Sequence, residues 1–266
     1  MSVVQPTIRQ IADLLERTAP LSLQESYDNC GLIVGDPSAV CTGALLTVDV
    51  TPDIVREAAD AGCNLIVAHH PLIFHGLKHL LVGGSAVEQA VIAALRAGIA
   101  VYACHTALDN APSGVSARMA AMLGLTDAAI LAPDASGSAG SGVVASLPSP
   151  VTASRFVQLV KAAFDSPVAR CSAYDMDAPI SRVALCGGSG AFLIPQAIAA
   201  GAQAFVTSDT KYHDFVDNAR RILIVDIGHH ESENCTKDIF YHVIKEKFPN
   251  FAVRYARLDV NPIIYL

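Results

Sequence analysis

Histidines stand where the apolar segments of this chain stop. His69 and His70 follow Asn64-Leu-Ile-Val-Ala68, His229 and His230 follow Ile222-Leu-Ile-Val-Asp-Ile227, and His105 follows Val101-Tyr-Ala-Cys104. Each run is short, apolar and partly β-branched, the pattern of a buried strand. Ligands of open α/β sheets bind just beyond the carboxyl ends of strands. Two of the exits add a carboxylate four residues on, Asp109 after His105 and Glu233 after His229. A histidine and an acid at that spacing share one face of a helical turn. Imidazoles and carboxylates gathered at strand ends point to a metal site.

The adjacent histidines refine that reading. Successive side chains at a strand end point in different directions, so His69 and His70 suit two ions rather than one. The metals of a hydrolytic pair lie about 3.5–4 Å apart. A carboxylate can bridge such a pair, and Asp109 and Glu233 supply the negative charge that two dications need. The mixed set accepts zinc, iron, manganese, cobalt or nickel. A water shared by two cations is acidified from roughly 15.7 toward roughly 7. His105, with Lys211 and His213 of Thr207-Ser-Asp-Thr-Lys-Tyr-His213, are the candidate catalytic groups that would hand a proton to a leaving amine or alkoxide.

Other polar residues have plainer readings. His75, His79 and His242 are expected to be hydrogen-bonded structural histidines, and His230 lines the site or merely neighbours His229. Asp209 is placed for a substrate contact or for support of a ligand. Gly187-Gly-Ser-Gly190 is a glycine turn between strand and helix, either an anion cradle or plain turn geometry. Tyr27-Asp-Asn-Cys-Gly-Leu-Ile-Val-Gly35 is a turn before a strand, or a segment that aims Asn29 at the site.

The elements that must position these residues alternate. Thr7 caps a helix carrying Ile8, Ile11, Leu14 and Leu15 on one face. A strand Ala44–Val50, a helix opened by Pro52, the strand ending at Ala68, a helix from Ser85 to Ala97, a strand Ile99–Ala103 and a helix near Ser113–Leu123 follow. The Ser/Gly-rich stretch from Ala135 to Gly142 reads as a lobe boundary or a surface loop. Beyond it come strands near Val143–Ser146, Val183–Cys186, Ala204–Thr207 and Ile222–Ile227, with helices Thr152–Phe164 and Ala191–Ala200 among them. A helix Glu231–Lys247 and a strand Phe251–Arg257 close the pattern. Such alternation predicts layered α/β structure with largely parallel sheets. The halves also resemble each other: Ala58–Val67 aligns with Ala197–Val206, and His105…Asp109 echoes His229…Glu233. We therefore expect two related three-layer α/β/α lobes with a dinuclear metal site in the cleft between them. The first lobe would span residues 1–126, completed by about 230–266, and the second residues 127–229.

Composition excludes several classes. The 266 residues are 52% hydrophobic and 16% charged, with 18 basic against 25 acidic side chains, a net charge of −7. No basic cluster offers a nucleic-acid face. The longest apolar stretch, Val91 to Cys104, is too short to span a bilayer. The seven cysteines show no paired spacing and most sit in or beside apolar runs, which suits a reduced, cytoplasmic protein.

Taken in order, Tyr27–Gly35, Ala68-His-His-Pro-Leu-Ile-Phe74, His105–Asp109, Cys186–Gly190, Thr207–His213 and Gly228-His-His-Glu-Ser-Glu233 resemble the motifs of the Nif-three-like proteins, often described as type-2 GTP cyclohydrolase I. The resemblance runs from about residue 8 onward. It implies a two-lobed α/β fold, a homohexameric ring, and a dinuclear centre ligated by His69, His70, Asp109, His229 and Glu233, with Glu233 bridging. His230 replaces the family's usual aromatic residue, and Ser208 a usual glycine. Three functions are consistent with these residues: a metal-dependent hydrolase of a small cyclic amide-like, formyl or phosphate substrate, a non-catalytic metal-handling protein, and a ring-shaped interaction scaffold with structural metals.

Overall fold

The computed structural model describes residues 5–266. In chain order the strands are β1 (Gly31–Val34), β2 (Ala44–Thr47), β3 (Leu65–Ala68), β4 (Ala100–Ala103), β5 (Thr126–Pro133) and β6 (Gly140–Thr152). They continue with β7 (Arg170–Cys171), β8 (Pro179–Ser189), β9 (Ala204–Ser208), β10 (Leu223–Asp226) and β11 (Val253–Tyr255). The chain divides into two compact units. One contains the residues up to Leu108 and Thr236–Val260, the other Asp109–Cys235 and Asn261–Leu266.

The first unit is built on a five-stranded sheet of order β1-β4-β3-β2-β11. Four strands are parallel, and β1 closes one edge antiparallel to β4. Every residue of β2, β3 and β4 is buried, as parallel strands covered on both faces must be. Leu45, Ile66 and Val101 pack with Ile54, Val55 and Ala58 of helix Pro52–Asp60 and with Ala90, Val91 and Ala94 of helix Ala86–Ala97. Their neighbours Leu46, Val67 and Tyr102 are equally buried and point to the opposite face. Helices Ile8–Thr18 and Thr236–Lys247 pack together there, on β1 and β2. Local signals set the helix starts. Thr7 and Gln10, and likewise Ser85 and Glu88, form reciprocal capping boxes, while Thr51 caps the helix that Pro52 opens.

The second unit carries a six-stranded sheet of order β5-β6-β8-β9-β10-β7. Here β8, β9 and β10 are parallel, while β5, β6 and β8 form an antiparallel meander and β7 is an antiparallel edge. The sheet is therefore mixed, not largely parallel. The Ser/Gly-rich stretch does not lie at a lobe boundary; it is a surface loop, the second of the two readings. It is the turn joining β5 to β6, held by Ser136 on Asp134. Leu131, Val144, Ala184, Phe205 and Ile224 form a core with helix Ile194–Ala199 on one face. Helices Val115–Met122 and Ala153–Ala163 pack on β6 and β8. The division falls at Asp109 and Thr236, whereas the sequence places it near 126 and 230. Helix Val115–Met122 lies so close to β8 that a Cβ on Gly187 would come within 2.5 Å of Val115 Cγ1. Helix His229–Glu233 likewise packs on β8 and β9.

The internal repeat is visible in the topology. The order β1-β4-β3-β2 in one sheet and β7-β10-β9-β8 in the other have the same directions, three parallel strands flanked by an antiparallel one. Helix Pro52–Asp60 between β2 and β3 matches helix Ile194–Ala199 between β8 and β9. Gly62 and Gly201 turn the chain into the next strand at φ +70° and +74°. Two helices depart from the sequence reading. Tyr212–Asn218 forms a helix with no buried residue, so no apolar stripe announces it. The expected helix Glu231–Lys247 is divided into His229–Glu233 and Thr236–Lys247. Among the described residues no helix is long and apolar enough to cross a membrane.

Candidate metal centre

In the first unit, β3 and β4 deliver three histidines to one place. His69 is fully buried and His70 half-buried just past β3, and His105 lies just past β4. One ring nitrogen from each lies within 4.8 Å of the others, and the ring centroids are 5.0 to 5.4 Å apart. Each ring is anchored through Nδ1. The Cys104 carbonyl accepts from His69 at 3.0 Å, Asp49 pairs with His70 at 2.8 Å, and Asp28 with His105 at 2.9 Å. An acceptor on Nδ1 fixes the proton there and makes Nε2 the donor atom for a metal.

Asp28 does more than orient a ring. One oxygen accepts from His105 Nδ1 and the Asn29 amide, the other from the Thr106 amide and hydroxyl. Burial opposes its charge, but the hydrogen bonds from His105 and Thr106 outweigh that and hold the carboxyl well below the usual range. Asn29, from the same segment, is fastened to the loop after β3 by donating to the Ile73 carbonyl at 2.6 Å. Cys30 is no nucleophile, because burial pushes its thiol up to about 12.

The second unit holds a group of its own, an imidazole with carboxylates. His229 and Glu233 meet across one turn of their short helix, Nε2 to Oε2 at 2.9 Å, and Asp209 holds His229 Nδ1 at 2.6 Å. Burial works against the imidazolium, yet Glu233 and Asp209 together raise it to about 9. The buried Cys186 thiol is pushed up first by burial and then by the charges of Asp109 and Glu233. Glu233 sits in a hollow that only glycine leaves open. Gly188 has φ +60°, and a Cβ there would lie 2.1 Å from Glu233 Oε1. The Gly187–Gly190 turn thus serves the close approach of a carboxylate. The Gly188 amide donates to Ser232 Oγ at 2.9 Å, tying the turn to the same helix.

Lys211 and His213 sit exposed at the start of helix Tyr212–Asn218, with His213 against the Tyr212 ring. His79 pairs with Glu88 and His242 with the Asp238 carbonyl, the structural roles expected of them, while His75 packs on Phe74. Sequence reasoning missed Asp28 and Asp49. Asp49 had a detectable signal, since it lies just past β2, at a further strand exit that carries no histidine.

These residues fit a metal. Four imidazoles share Nδ1 anchoring, three of them present nitrogens to a common point, and the fourth shares its donor position with a carboxylate. The family description Duf34/NIF3 (NGG1p interacting factor 3) matches residues 6–262. The chain belongs to this family. Among relatives of this DUF34/NIF3 chain are two named GTP cyclohydrolase 1 type 2 homolog. The Clostridium acetobutylicum protein is 31% identical over 229 residues, covering 85% of each chain. The Lactococcus lactis protein is 34% identical over 239 residues, covering 89% of each. A Staphylococcus aureus hypothetical protein superposes with a TM-score of 0.90 at 27% identity, over 98% of this chain and 100% of that one. A Bacillus cereus protein related to NIF3 shares the fold, with a TM-score of 0.92 at 24% identity over 99% of this chain and 100% of that one. The motif resemblance and the two-lobed α/β fold are thereby borne out.

Proposed function

We propose that this chain binds two divalent cations through His69, His70, Asp109, His229 and Glu233, with Glu233 bridging, and hydrolyses a small substrate. The observation that carries this reading is the convergence of His69, His70 and His105, one ring nitrogen of each lying within 4.8 Å of the others while each Nδ1 is held by an oxygen. Nδ1 support alone is shared by the structural His79 and His242, whereas supported imidazoles turned toward one another are what a cation requires. When bound, a pair of dications supplies Lewis acidity and a nucleophile drawn from water near neutral pH. The chain's residues do the rest. Asp28 keeps the His105 proton on Nδ1, so that Nε2 can take a proton from the reacting group and return it to the leaving one. Lys211 and His213 are further proton donors in this proposal. The relatives' names favour a cyclic amide-like C–N bond as the target, with formyl and phosphate substrates as the alternatives. A homohexamer in the cytoplasm belongs to the same reading.

Metal analysis of purified protein should give close to two ions per chain, and His70→Ala or Glu233→Ala should lose most of it. A panel of cyclic amides, formylated amines, phosphoesters and GTP should show at least one turnover abolished by chelation and by His69→Ala. Metal-replete protein inert across the panel, yet releasing metal readily to an acceptor, would instead make it a metal-handling protein. Light scattering tests the hexamer.

A further inference from the structure

Helix His229–Glu233 has five residues and no side-chain cap at its start, too few to hold a helical shape unaided. At 100° per residue, His229 and Glu233 fall on one face and Glu231 on the opposite one. The donor face is fixed by Gly188, Ser232 and Asp209. The back of the helix is held from elsewhere. Residues through Val260 pack with the first unit, but Asn261–Leu266 pack with the second. There Asn261 Nδ2 donates to Glu231 Oε1 at 2.8 Å. The Tyr265 hydroxyl and Glu231 Oε2 share the space above Gly228, where a Cβ would come within 2.8 Å of the one and 2.4 Å of the other. Gly228, at φ +91°, is the residue from which the helix starts. Glu231 is almost fully buried, and its charge, after burial, raises the Tyr265 phenol above its usual range.

We propose that Asn261 and Tyr265 are positioning residues, which brace Glu231 from behind and thereby set His229 and Glu233 for metal binding. The inference rests on the proposed metal site. A buried carboxylate on a short helix is a handle: fixing it fixes the rotation of the helix, and with it the direction of both donor side chains. Loss of the brace leaves Glu231 without its amide donor and lets the helix turn about its axis.

The test compares Asn261→Ala, Asn261→Asp and Tyr265→Phe with the wild-type chain, using Zn²⁺ in competition with a chromogenic chelator, the melting temperature of metal-free protein, and the His229 imidazole NMR resonances without metal. Partners that orient ligands cost about 10–100-fold in affinity when removed, and Asn261→Ala should weaken Zn²⁺ binding by about 10-fold. Asn261→Asp sets a second carboxylate against Glu231 and should weaken it further, while Tyr265→Phe keeps the ring and gives the smallest loss. In each variant the His229 resonances should shift. A lower melting temperature with unchanged affinity and unchanged resonances would overturn the brace. Wild-type protein that binds no Zn²⁺ would overturn the metal reading instead, and the metal-free resonances would then decide the brace alone.

Discussion

Replacing Gly188 by alanine separates backbone strain from damage to the metal site, provided Gly98→Ala is made beside it. The two glycines have φ +60° and +64°, and a Cβ on Gly98 meets nothing within 4 Å. Each substitution forces a side-chain-bearing residue into the left-handed region, at about 1–2 kcal/mol. At roughly 2–4 °C per kcal/mol for chains near this size, both should melt about 2–8 °C lower. Only Gly188→Ala adds a collision, with its Cβ 2.1 Å from Glu233 Oε1 and 3.2 Å from the carboxyl carbon. Carbon–oxygen contact needs more than 3 Å or so, and the carboxylate must retreat by about 1 Å. Metal–ligand distances tolerate only about 0.2 Å. Gly188→Ala should therefore weaken metal binding by at least about 10-fold, read by chelator competition, while Gly98→Ala binds as the wild type does. Equal affinity in the two variants would refute the claim that Gly188 exists to seat Glu233.

The other predictions concern the carboxylates and His229. Asp28→Asn leaves one acceptor oxygen where two now serve His105, Asn29 and Thr106, and should cost about 1–3 kcal/mol in urea unfolding because an amide NH₂ must face a donor; unchanged stability would show that the network is dispensable. Glu88 is lowered from 4.5 to about 2, by the Ser85 amide first and then by His79 and the Leu81 amide. Its contribution is present above the unfolded value and is lost as pH falls toward about 2. The urea midpoint of Glu88→Gln should thus lie below wild type near neutral pH and converge on it in acid, and a gap independent of pH would exclude the charge as its cause. His229 retains its proton up to about 9 without metal, and a metal must displace that proton. Calorimetry in buffers of different ionisation enthalpy should show proton release on Zn²⁺ binding near neutral pH, with affinity rising toward pH 9; proton-neutral binding would mean that His229 is not a ligand.

Much of this protein is legible in its amino-acid sequence. Short apolar runs, Thr7, Thr51 and Ser85 as caps, and histidines just past the strands are local patterns, since burial on both faces and capping each act within a few residues. The repeat was legible for the same reason, because strand, helix and glycine recur at a fixed offset. Other features depended on residues distant in sequence. Strand β5 was missed because it is largely exposed and carries no run of buried apolar residues, so the serine- and glycine-rich turn after it reads as a lobe boundary as readily as a surface loop. Helix Tyr212–Asn218 carries no apolar stripe, so nothing periodic marked it. Asp28 and Asp49 stand 77 and 21 residues from the imidazoles they orient, and no spacing rule spans such separations. Gly188 could be recognised as a turn, but the carboxylate that requires it lies on another element. The sequence determined which side chains could bind a metal and at which strand ends they stand, because strand exits are local. Only the tertiary structure decided which oxygens hold each imidazole and which glycine admits Glu233, because those partners meet only when separate elements of one sheet are packed.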